Sequence, residues 1–522
     1  MKNLILLATL VLIFSSCSED KVMQSEDKSM QQESTSKLGT AKVLTITNFY
    51  VNGATGNDAN AGTSVSTALK TIQAALWKTT DGSGATIYVA EGTYKERLWW
   101  SNSGSSTEPI TLTNYNGGVV TLDGVNATND TQNAMISIQN KSNIRINNIN
   151  ITNNIRQWAG GIDMRGSGTN VHFTYCKISN IGWTTNSSAI PTSSNNASPF
   201  IIVGSTSASY NNIYIGNNEI FNCNTGYSEG MTLTGNVEIF LIENNIVHDI
   251  KNIGIDCSGN YSWSGAPANV NFSRNGNIKG NIVYNCVSPV ATSGGIYVDG
   301  GKWINIEGNT CYRNYAGINV GCENDNYTVE GINVRSNFVY DNIEAGLLIG
   351  SNQPNSSVIN STISNNSLYK NYSKGGWGGE IHLQRSDNVS FINNIINSRS
   401  NIVVIASSGY PSTNLKFNYN KYYSLSGSAS TVSFDWGGNG GGTYSSLAAF
   451  QTATGLDTNS NYGIPGFVSA SLPTPDLHLT SSSASKNAGL PTFVAQSGEL
   501  DIDKGTRVVN SRVDIGADET PN

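Results

Sequence analysis

Residues able to act as acid, base or cation recur at alternate positions of short apolar segments across the middle of the chain. The set comprises Asp163, Arg165, Asp256, Tyr297, Asp299, His382 and Arg385, and the neutral amide of Asn319 lies in the same column. A carboxyl, phenol or imidazole group can transfer a proton to a reacting group, and a cation can stabilise a developing negative charge. An inert strand face would carry mostly Thr, Ser and Asn. This column therefore predicts a site that binds a polar substrate and changes it chemically.

Further candidates flank the column. Lys302 and Glu323 follow strand ends, from which their side chains can reach the same surface, and Glu380 stands where related segments have glycine. Two irregular loops, residues 258–276 and 370–379, each bring a tryptophan, Trp263 or Trp377, toward the edge of the column. Each ring could form a platform for a sugar or seal its loop against the body of the protein.

The elements that must position these residues are repeated strands. An Asn followed by alternating apolar residues recurs at intervals of 27, 36, 28, 28, 29 and 28 residues, with copies opening at Asn218, Asn245, Asn281, Asn309, Asn337, Asn366 and Asn394. A second motif recurs once in each repeat, as in Gly254-Ile255-Asp256-Cys257 and Gly295-Ile296-Tyr297-Val298. A third motif lies between the first two. Three short strands per repeat, with no helical stretch between them, are typical of a parallel β-helix. A β-propeller would need recurrent hairpin signals, which we do not find.

The two-residue period of the second motif sorts its side chains. Ile255, Ile296 and Ile318 are expected to point into the core, and Asp256, Tyr297 and Asn319 to alternate with them and face solvent. Stacked coils are about 4.8 Å apart, so these three polar residues would fit beneath one or two sugar rings. His382 is expected two coils beyond Asn319. The opening asparagines should stack as a ladder that bonds the backbone of the bends.

The two ends of the repeat region carry familiar motifs. They are Tyr50-Val51-Asn52-Gly53, Lys70-Thr71-Ile72-Gln73-Ala74-Ala75, Ile87 to Tyr94 and Leu122-Asp123-Gly124 at the start, and Asp476 to Leu479 and Arg512 to Glu519 at the close. Over residues 48–520 the chain resembles the pectate-lyase-like superfamily of right-handed parallel β-helices. The resemblance implies an all-β, single-domain solenoid with a short N-terminal capping helix, expected at 66–77, and a closing segment at about 470–522.

The N-terminus has the layout of an export signal. A lysine, an apolar run from Leu4 to Phe14 and Ser15-Ser16-Cys17 resemble a bacterial lipobox, which implies a signal peptide over 1–16 and a lipid on Cys17. Residues 17–45 are expected to form a flexible tether and 46–522 the β-helix domain. Ser18-Glu19-Asp20 resembles an acidic surface-export tag. We expect a monomeric outer-membrane lipoprotein exposed at the cell surface.

Composition narrows the function. The net charge of −7, the pI near 5.2 and the lack of a basic stripe argue against a nucleic-acid partner. Six cysteines outside the lipobox follow no metal-binding spacing, and several lie among β-branched residues. We expect them to be buried thiols rather than disulfides.

The resemblance implies action on carbohydrate, by a lyase, a glycoside hydrolase or an epimerase. We favour β-elimination from an anionic, uronate-containing poly- or oligosaccharide, including loss of water at a terminal uronate. Arg165, Lys302 or Arg385 would neutralise the uronate carboxylate, and His382 or Tyr297 would take the proton. Asp256, Asp299 and Glu323 could hold Ca²⁺, although the clustered acidic motif of calcium-dependent lyases is not found.

Hydrolysis is the alternative, since Asp256 and Asp299 on adjoining coils, with Glu323 one coil further, could supply two carboxyls at the spacing of either a retaining or an inverting enzyme. A third possibility is a non-catalytic, surface-exposed solenoid that binds glycans.

Overall fold

The computed structural model describes residues 46–375, 378–406 and 409–521. In this part of the chain, successive strands enter three long sheets in a fixed rotation, and each strand pairs in parallel with its counterpart one coil later. The right-handed parallel β-helix predicted from the sequence is thereby confirmed. Cys17 and Trp377 lie outside the described residues.

Within each sheet the strands follow one another in chain order. The first sheet contains Thr47–Val51, Ala85–Val89, Ile110–Asn114, Ile144–Asn147, Gly168–Thr174, Tyr210–Gly216, Val237–Glu243, Arg274–Lys279, Lys302–Glu307, Thr328–Glu330, Asn333–Arg335, Ser357–Ser364, Ser386–Ile392 and Lys416–Asn418. The second contains Gly92–Tyr94, Val120–Asp123, Ile149–Ile155, Lys177–Gly182, Glu219–Cys223, Ile246–Ile250, Ile282–Tyr284, Thr310–Tyr312, Phe338–Tyr340, Ser367–Tyr369, Ile395–Ser398, Lys421–Ser424 and Asn461–Tyr462. The third contains Leu98–Trp99, Ala134–Gln139, Ala159–Gly166, Ala197–Gly204, Met231–Gly235, Ile255–Ser258, Gly294–Asp299, Ala316–Gly321, Ala345–Ile349, Ile381–Leu383, Ile402–Ala406, Ser433–Asp435 and the antiparallel Thr443–Tyr444.

The third sheet positions the candidate column. Asp256 pairs with Tyr297, Tyr297 with Asn319, Asn319 with Leu348 and Leu348 with His382, each one coil further along the axis. The alternating apolar side chains, among them those of the strand Ile255–Ser258, are fully buried in one continuous core. The register inferred from the two-residue period is confirmed.

The asparagine ladder is also present. From Asn218 to Asn394, each asparagine donates its side-chain amide to the side-chain oxygen of the next, as between Asn309 and Asn337 at 3.0 Å. Each amide also donates to a main-chain carbonyl, for example from Asn309 to Ile278 at 2.9 Å. The ladder thus satisfies backbone groups that the bend between the first and second sheets would otherwise bury unpaired.

Short helices and a returning segment flank the sheets. The capping helix spans Ile72–Lys78, later than expected, because Thr71 accepts a hydrogen bond from Ala74 N as its N-cap and a 3₁₀ turn, Val65–Thr67, comes before it. A second helix spans Leu447–Thr454, and 3₁₀ turns span Ser262–Ser264 and Gly437–Asn439.

A hairpin of Phe467–Ser469 and Asp476–Leu479 opens the closing segment, which returns to the second sheet where Gly516 N donates to Asn393 O at 2.8 Å.

The cysteines behave as expected from their neighbours in sequence. Cys176, Cys223, Cys257, Cys286, Cys311 and Cys322 are all free and buried. Burial raises the pKa of the thiols of Cys176 and Cys223 to about 12. Within the described residues, no helix is both long and apolar enough to span a bilayer.

Candidate active site

Two adjoining cavities lie over the outer face of the third sheet. The first, which we call the acidic cavity, has a volume of about 720 Å³ and a floor formed by Thr232, Asp256, Ser258, Tyr297 and Asp299. Its walls and rim comprise Trp158, Arg165, Asn196, Ser198, Ile201, Tyr227, Ser228, Glu229, Ile253, Tyr261, Trp263 and Glu323. The side chains of the floor point away from the core, as expected, but they do not face open solvent. Asp256 is only 4% exposed, because loops between the second and third sheets and after the third sheet rise around the floor.

Asp256 lies at the centre of the floor. Its Oδ1 is buried and has no hydrogen-bond partner among the described residues. Burial, reinforced by the nearby carboxylates of Glu229 and Asp299, raises the pKa of Asp256 well above its usual range. This shift favours the protonated form of Asp256, which can donate a hydrogen bond or a proton to a group bound in the cavity.

Asp299, 3% exposed, lies one coil further along and is held differently. It accepts hydrogen bonds from the Tyr261 hydroxyl and from the backbone N–H of Glu323, the latter at 2.8 Å. Burial and the charge of Glu323 raise the pKa of Asp299, while these two bonds act in the opposite direction. Because both donors stabilise the carboxylate form, Asp299 is the floor acid best prepared to carry the negative charge.

Two acids stand higher in the walls. Glu229, on the loop before the strand Met231–Gly235, accepts a hydrogen bond from Thr232 Oγ1 at 2.8 Å, and desolvation raises its pKa to about 7. Glu323, just after the strand Ala316–Gly321, is exposed and lies 3.4 Å from the Tyr261 hydroxyl. The cavity thus holds four carboxyl groups, and the phenols of Tyr261 and Tyr297 lie among them.

The mouth of the acidic cavity is aromatic. Trp158, Tyr227 and Trp263 line it with 57%, 41% and 55% of their surfaces exposed. Such rings offer flat apolar surfaces, which suit the C–H faces of sugar rings. Among the described residues, Arg165 is the one cation that lines this cavity, and its Nε donates to Asp163 Oδ1 at 2.7 Å. Asp163 therefore acts on the site through Arg165.

The second cavity, which we call the amide cavity, has a volume of about 590 Å³ and shares Tyr297 and Glu323 with the first. Its lining continues over the next coils and comprises Ala291, Thr292, Asn319, Val320, Gly321, Cys322, Leu348, Gly350, Ser351, Asn352, Gln353, Gln384 and Tyr410. Asn319 is buried, and its Oδ1 has no partner among the described residues. Glu323 is the one charged side chain among the described residues that line this cavity.

Two predicted cations lie elsewhere. Lys302 begins a strand of the first sheet, where its Nζ lies 3.9 Å from Glu330 and 5.1 Å from the centre of the Phe272 ring. Arg385 donates to the carbonyls of Asn352, Gln353 and Gly409 and covers the Tyr410 ring. Both follow strands of the third sheet in sequence, but the chain turns there, so their side chains support walls instead of entering a cavity.

His382 and Glu380 are also separate from the acids. The register places His382 four coils beyond Asp256, roughly 19 Å away, and His382 is 1% exposed. Glu380 is fully buried and accepts a hydrogen bond from Asn371 Nδ2 at 2.7 Å, and burial raises its pKa to about 8. Glu380 thus ends a second asparagine ladder that passes through Asn342 and Asn371.

The acids of the cavity do not form a compact metal cage. Among the described residues, the one group of three potential ligand atoms within 4.8 Å of one another is His478, Asp503 and Asp518 in the closing segment. Calcium takes six to eight oxygen ligands, and among the described residues the carboxyls of the acidic cavity do not by themselves place three ligand atoms within 4.8 Å of one another.

Sequence reasoning did not find Glu229 and Tyr261 as site residues. Each lies on a loop outside the alternating strand motifs, and no other local motif marks it. Tyr261 did carry a signal, since it belongs to the 258–276 insertion that lengthens one coil, and an insertion in a regular solenoid often has a function. Asp256, Tyr297, Asp299, Asn319, Glu323 and Arg165 are the predicted residues that the fold brings together.

Comparisons with known proteins found a similar sequence and several similar structures. No family model matches the chain. The uncharacterized protein YwoF of Bacillus subtilis (strain 168) is 29% identical over 426 residues, which cover 79% of this chain and 87% of that protein.

Among solved structures, the pectate lyase Pel9A is similar with a TM-score of 0.47 at 15% identity, covering 92% of this chain and 98% of that one. The A-module of the mannuronan C-5 epimerase AlgE4 from Azotobacter vinelandii has a TM-score of 0.41 at 13% identity, covering 72% and 88%. The lacto-N-biosidase from Eubacterium ramulus has a TM-score of 0.42 at 13% identity, covering 72% of this chain and 64% of that one.

Proposed function

We propose that the protein is a carbohydrate-active enzyme that hydrolyses a glycosidic bond in the acidic cavity. The observation that carries this proposal is the pairing of two buried floor acids held differently: Asp256 has an unbonded Oδ1, and Asp299 accepts from two donors. A glycosidase needs one carboxyl that gives a proton and one that accepts it. The exposed aromatic rim supports a sugar as the substrate.

The two acids would act in turn on one bound sugar. Asp256 gives its proton to the glycosidic oxygen as the bond from that oxygen to the anomeric carbon breaks. Asp299 takes a proton from a water molecule whose oxygen attacks the anomeric carbon from the opposite face. The products are a free hydroxyl on the leaving sugar and a hemiacetal on the other.

The backbone spacing of the two acids is compatible with inversion of configuration. Asp256 and Asp299 are one coil apart and offset by two residues along the strand, so their backbones are about 8 Å apart. Carboxyl groups separated by roughly 6.5–9.5 Å leave room for the attacking water, whereas retaining enzymes bring them to about 5–5.5 Å.

β-Elimination, favoured from the sequence, is less well supported. A uronate carboxylate would meet four acids and a single arginine already paired with Asp163. Burial and the neighbouring carboxylates raise the pKa of Tyr297, which makes its phenolate a costly base. The imidazole of His382 is several coils away.

The test is to incubate the full-length protein with neutral and uronate oligosaccharides and to follow both reducing ends and the absorbance of unsaturated uronates. We expect reducing ends without absorbance, and their loss in Asp256→Asn and in Asp299→Asn. Asp435→Asn is the matched control, because Asp435 extends the same outward column well beyond both cavities. Absorbance of unsaturated uronates, with or without new reducing ends, would show that the reaction is elimination and not hydrolysis.

Anchoring through a lipid on Cys17 and exposure at the cell surface belong to the same proposal, since they would place the cleft where extracellular glycans are available.

A further inference from the structure

The amide cavity is built into the coil stack by two glycines. In the outward column that carries Ser258 and Asp299, the next coils carry Gly321 and Gly350, and Gln384 follows. A Cβ on Gly321 would lie 2.7 Å from Gly350 O and 3.3 Å from the Tyr297 hydroxyl, so the backbone is approached closely at this point. Glycine within a strand commonly marks such an approach. The sheet surface is therefore recessed for two coils, or about 10 Å along the axis.

The floor of this recess is both apolar and amide-bearing. Leu348, in the column that carries Asp256 and Tyr297, is a partly exposed leucine between the polar Asn319 and His382 of the adjoining coils. Beside it, Asn319 is buried with an Oδ1 that no described residue satisfies. A buried acceptor without a partner destabilises the protein unless something bonds to it. A sugar ring can contact both residues: its C–H groups pack over Leu348, and one of its hydroxyls donates to Asn319 Oδ1.

The charges of the recess select against an anion. Glu323, at the boundary with the acidic cavity, presents a carboxylate to any occupant. Arg385 is not among the lining residues, and its guanidinium donates to the main-chain carbonyls of Asn352, Gln353 and Gly409. The remaining polar groups of the lining are amides and hydroxyls, which bond a neutral hydroxyl without favouring a carboxylate.

We infer that the amide cavity binds an uncharged sugar unit adjacent to the one that is cleaved, so that the substrate is a neutral oligosaccharide chain lying along the helix axis. This inference rests on the proposed hydrolysis, because hydrolysis defines which sugar unit is cleaved. Binding in the amide cavity can nevertheless be measured without turnover. In this inference, Asn319, Leu348 and Gln384 determine the specificity of the amide cavity for a neutral sugar unit.

The experiment measures binding of neutral and uronate oligosaccharides, from disaccharides to octasaccharides, by calorimetry with the Asp256→Asn protein, and cleavage of the same set by wild type. Gln384→Ala and Asn319→Leu are then added to each. The matched control is Gln139→Ala, because Gln139 is an exposed glutamine in the same sheet and in register with Arg165, outside both cavities.

We expect neutral chains to bind and affinity to increase with chain length. Gln384→Ala and Asn319→Leu should each weaken binding of the longer chains about fivefold, the cost of one hydrogen bond, and leave the shortest bound ligand unaffected. The control should match the parent. Asn319→Leu keeps the approximate shape of the side chain and removes an unbonded polar group, so its melting temperature should be preserved; Gln384→Ala provides the second, independent reading.

Uronate chains binding better than neutral chains would overturn the inference, as would affinity independent of chain length or unchanged in both variants. Neutral chains that bind in a Gln384-dependent manner but are not cleaved by wild type would overturn the hydrolysis and leave the inference standing. No binding by any member of the set would overturn both.

Discussion

Tyr261 donates its hydroxyl to Asp299 from a loop 38 residues earlier in the chain. The bond stabilises the carboxylate form of Asp299 and opposes the burial that raises its pKa. If Asp299 is the base, Tyr261→Phe raises the pKa of Asp299 further. We expect the acidic limb of the kcat/KM profile to move to higher pH, so that activity falls more at pH 5 than at pH 8. The measurement is a pH–rate profile of both proteins.

Tyr227→Phe, at the rim of the same cavity, is the control and should leave that limb in place. An equal loss at every pH in Tyr261→Phe would show that the hydroxyl only shapes the cavity.

Glu229 links stability to pH. Its pKa is raised from 4.5 to about 7 in the folded protein, so the folded state holds a proton that the unfolded chain releases. The stabilisation is complete below about pH 4.5 and is lost as pH rises through about 7. Glu229→Gln should therefore melt at a higher temperature than wild type at pH 8, and the two should converge at pH 4.5. Thermal unfolding at both pH values checks this, and a difference that is independent of pH would contradict it.

The aromatic rim should contribute to binding and not to the chemical step. Replacing Trp263 or Trp158 by Ala removes a flat surface worth roughly 0.5–1.5 kcal/mol, so we expect KM to rise about two- to tenfold with kcat little changed. Trp77→Ala is the matched control, since Trp77 is 69% exposed on the capping helix and lies outside both cavities. A fall in kcat at constant KM would show that the rim instead orders the reacting groups.

The buried asparagine ladder should contribute more to the free energy of unfolding than a partly exposed asparagine stack. In Asn309→Ala, Ile278 O and the backbone N–H of Asn281 lose their partners in the core, which costs about 1–3 kcal/mol for each group. Asn305→Ala removes only side-chain bonds in a partly exposed stack with Asn277 and Asn333, and should cost under about 1 kcal/mol. Denaturant unfolding distinguishes them. Equal losses would show that the ladder is no more than surface hydrogen bonding.

The sequence determines the strands and their register but not the loops above them. The two-residue period placed Asp256 beside Tyr297 and Tyr297 beside Asn319, because one coil length and the core face together leave no other pairing. Glu229 and Tyr261 enter the cavity from loops whose paths no periodicity encodes. Lys302 and Arg385 each come within three residues of the end of a third-sheet strand, yet the turn after that strand directs the side chain away from the cleft.

The burial of the column could not be predicted from the sequence for the same reason. A period of two shows which way Asp256 points, but not whether another segment covers it. The raised pKa values follow from that covering, so the division of roles between Asp256 and Asp299 could only be argued once the loops were placed.

The six core thiols provide a way to observe the solenoid opening. Cys176, Cys223, Cys257, Cys286, Cys311 and Cys322 lie in successive regions of the chain, each buried and protonated. An alkylating reagent reacts with a thiolate, so each cysteine is labelled only when its own coil opens. Mass spectrometry of the labelled peptides would then give a map of local unfolding along the axis without the introduction of any probe.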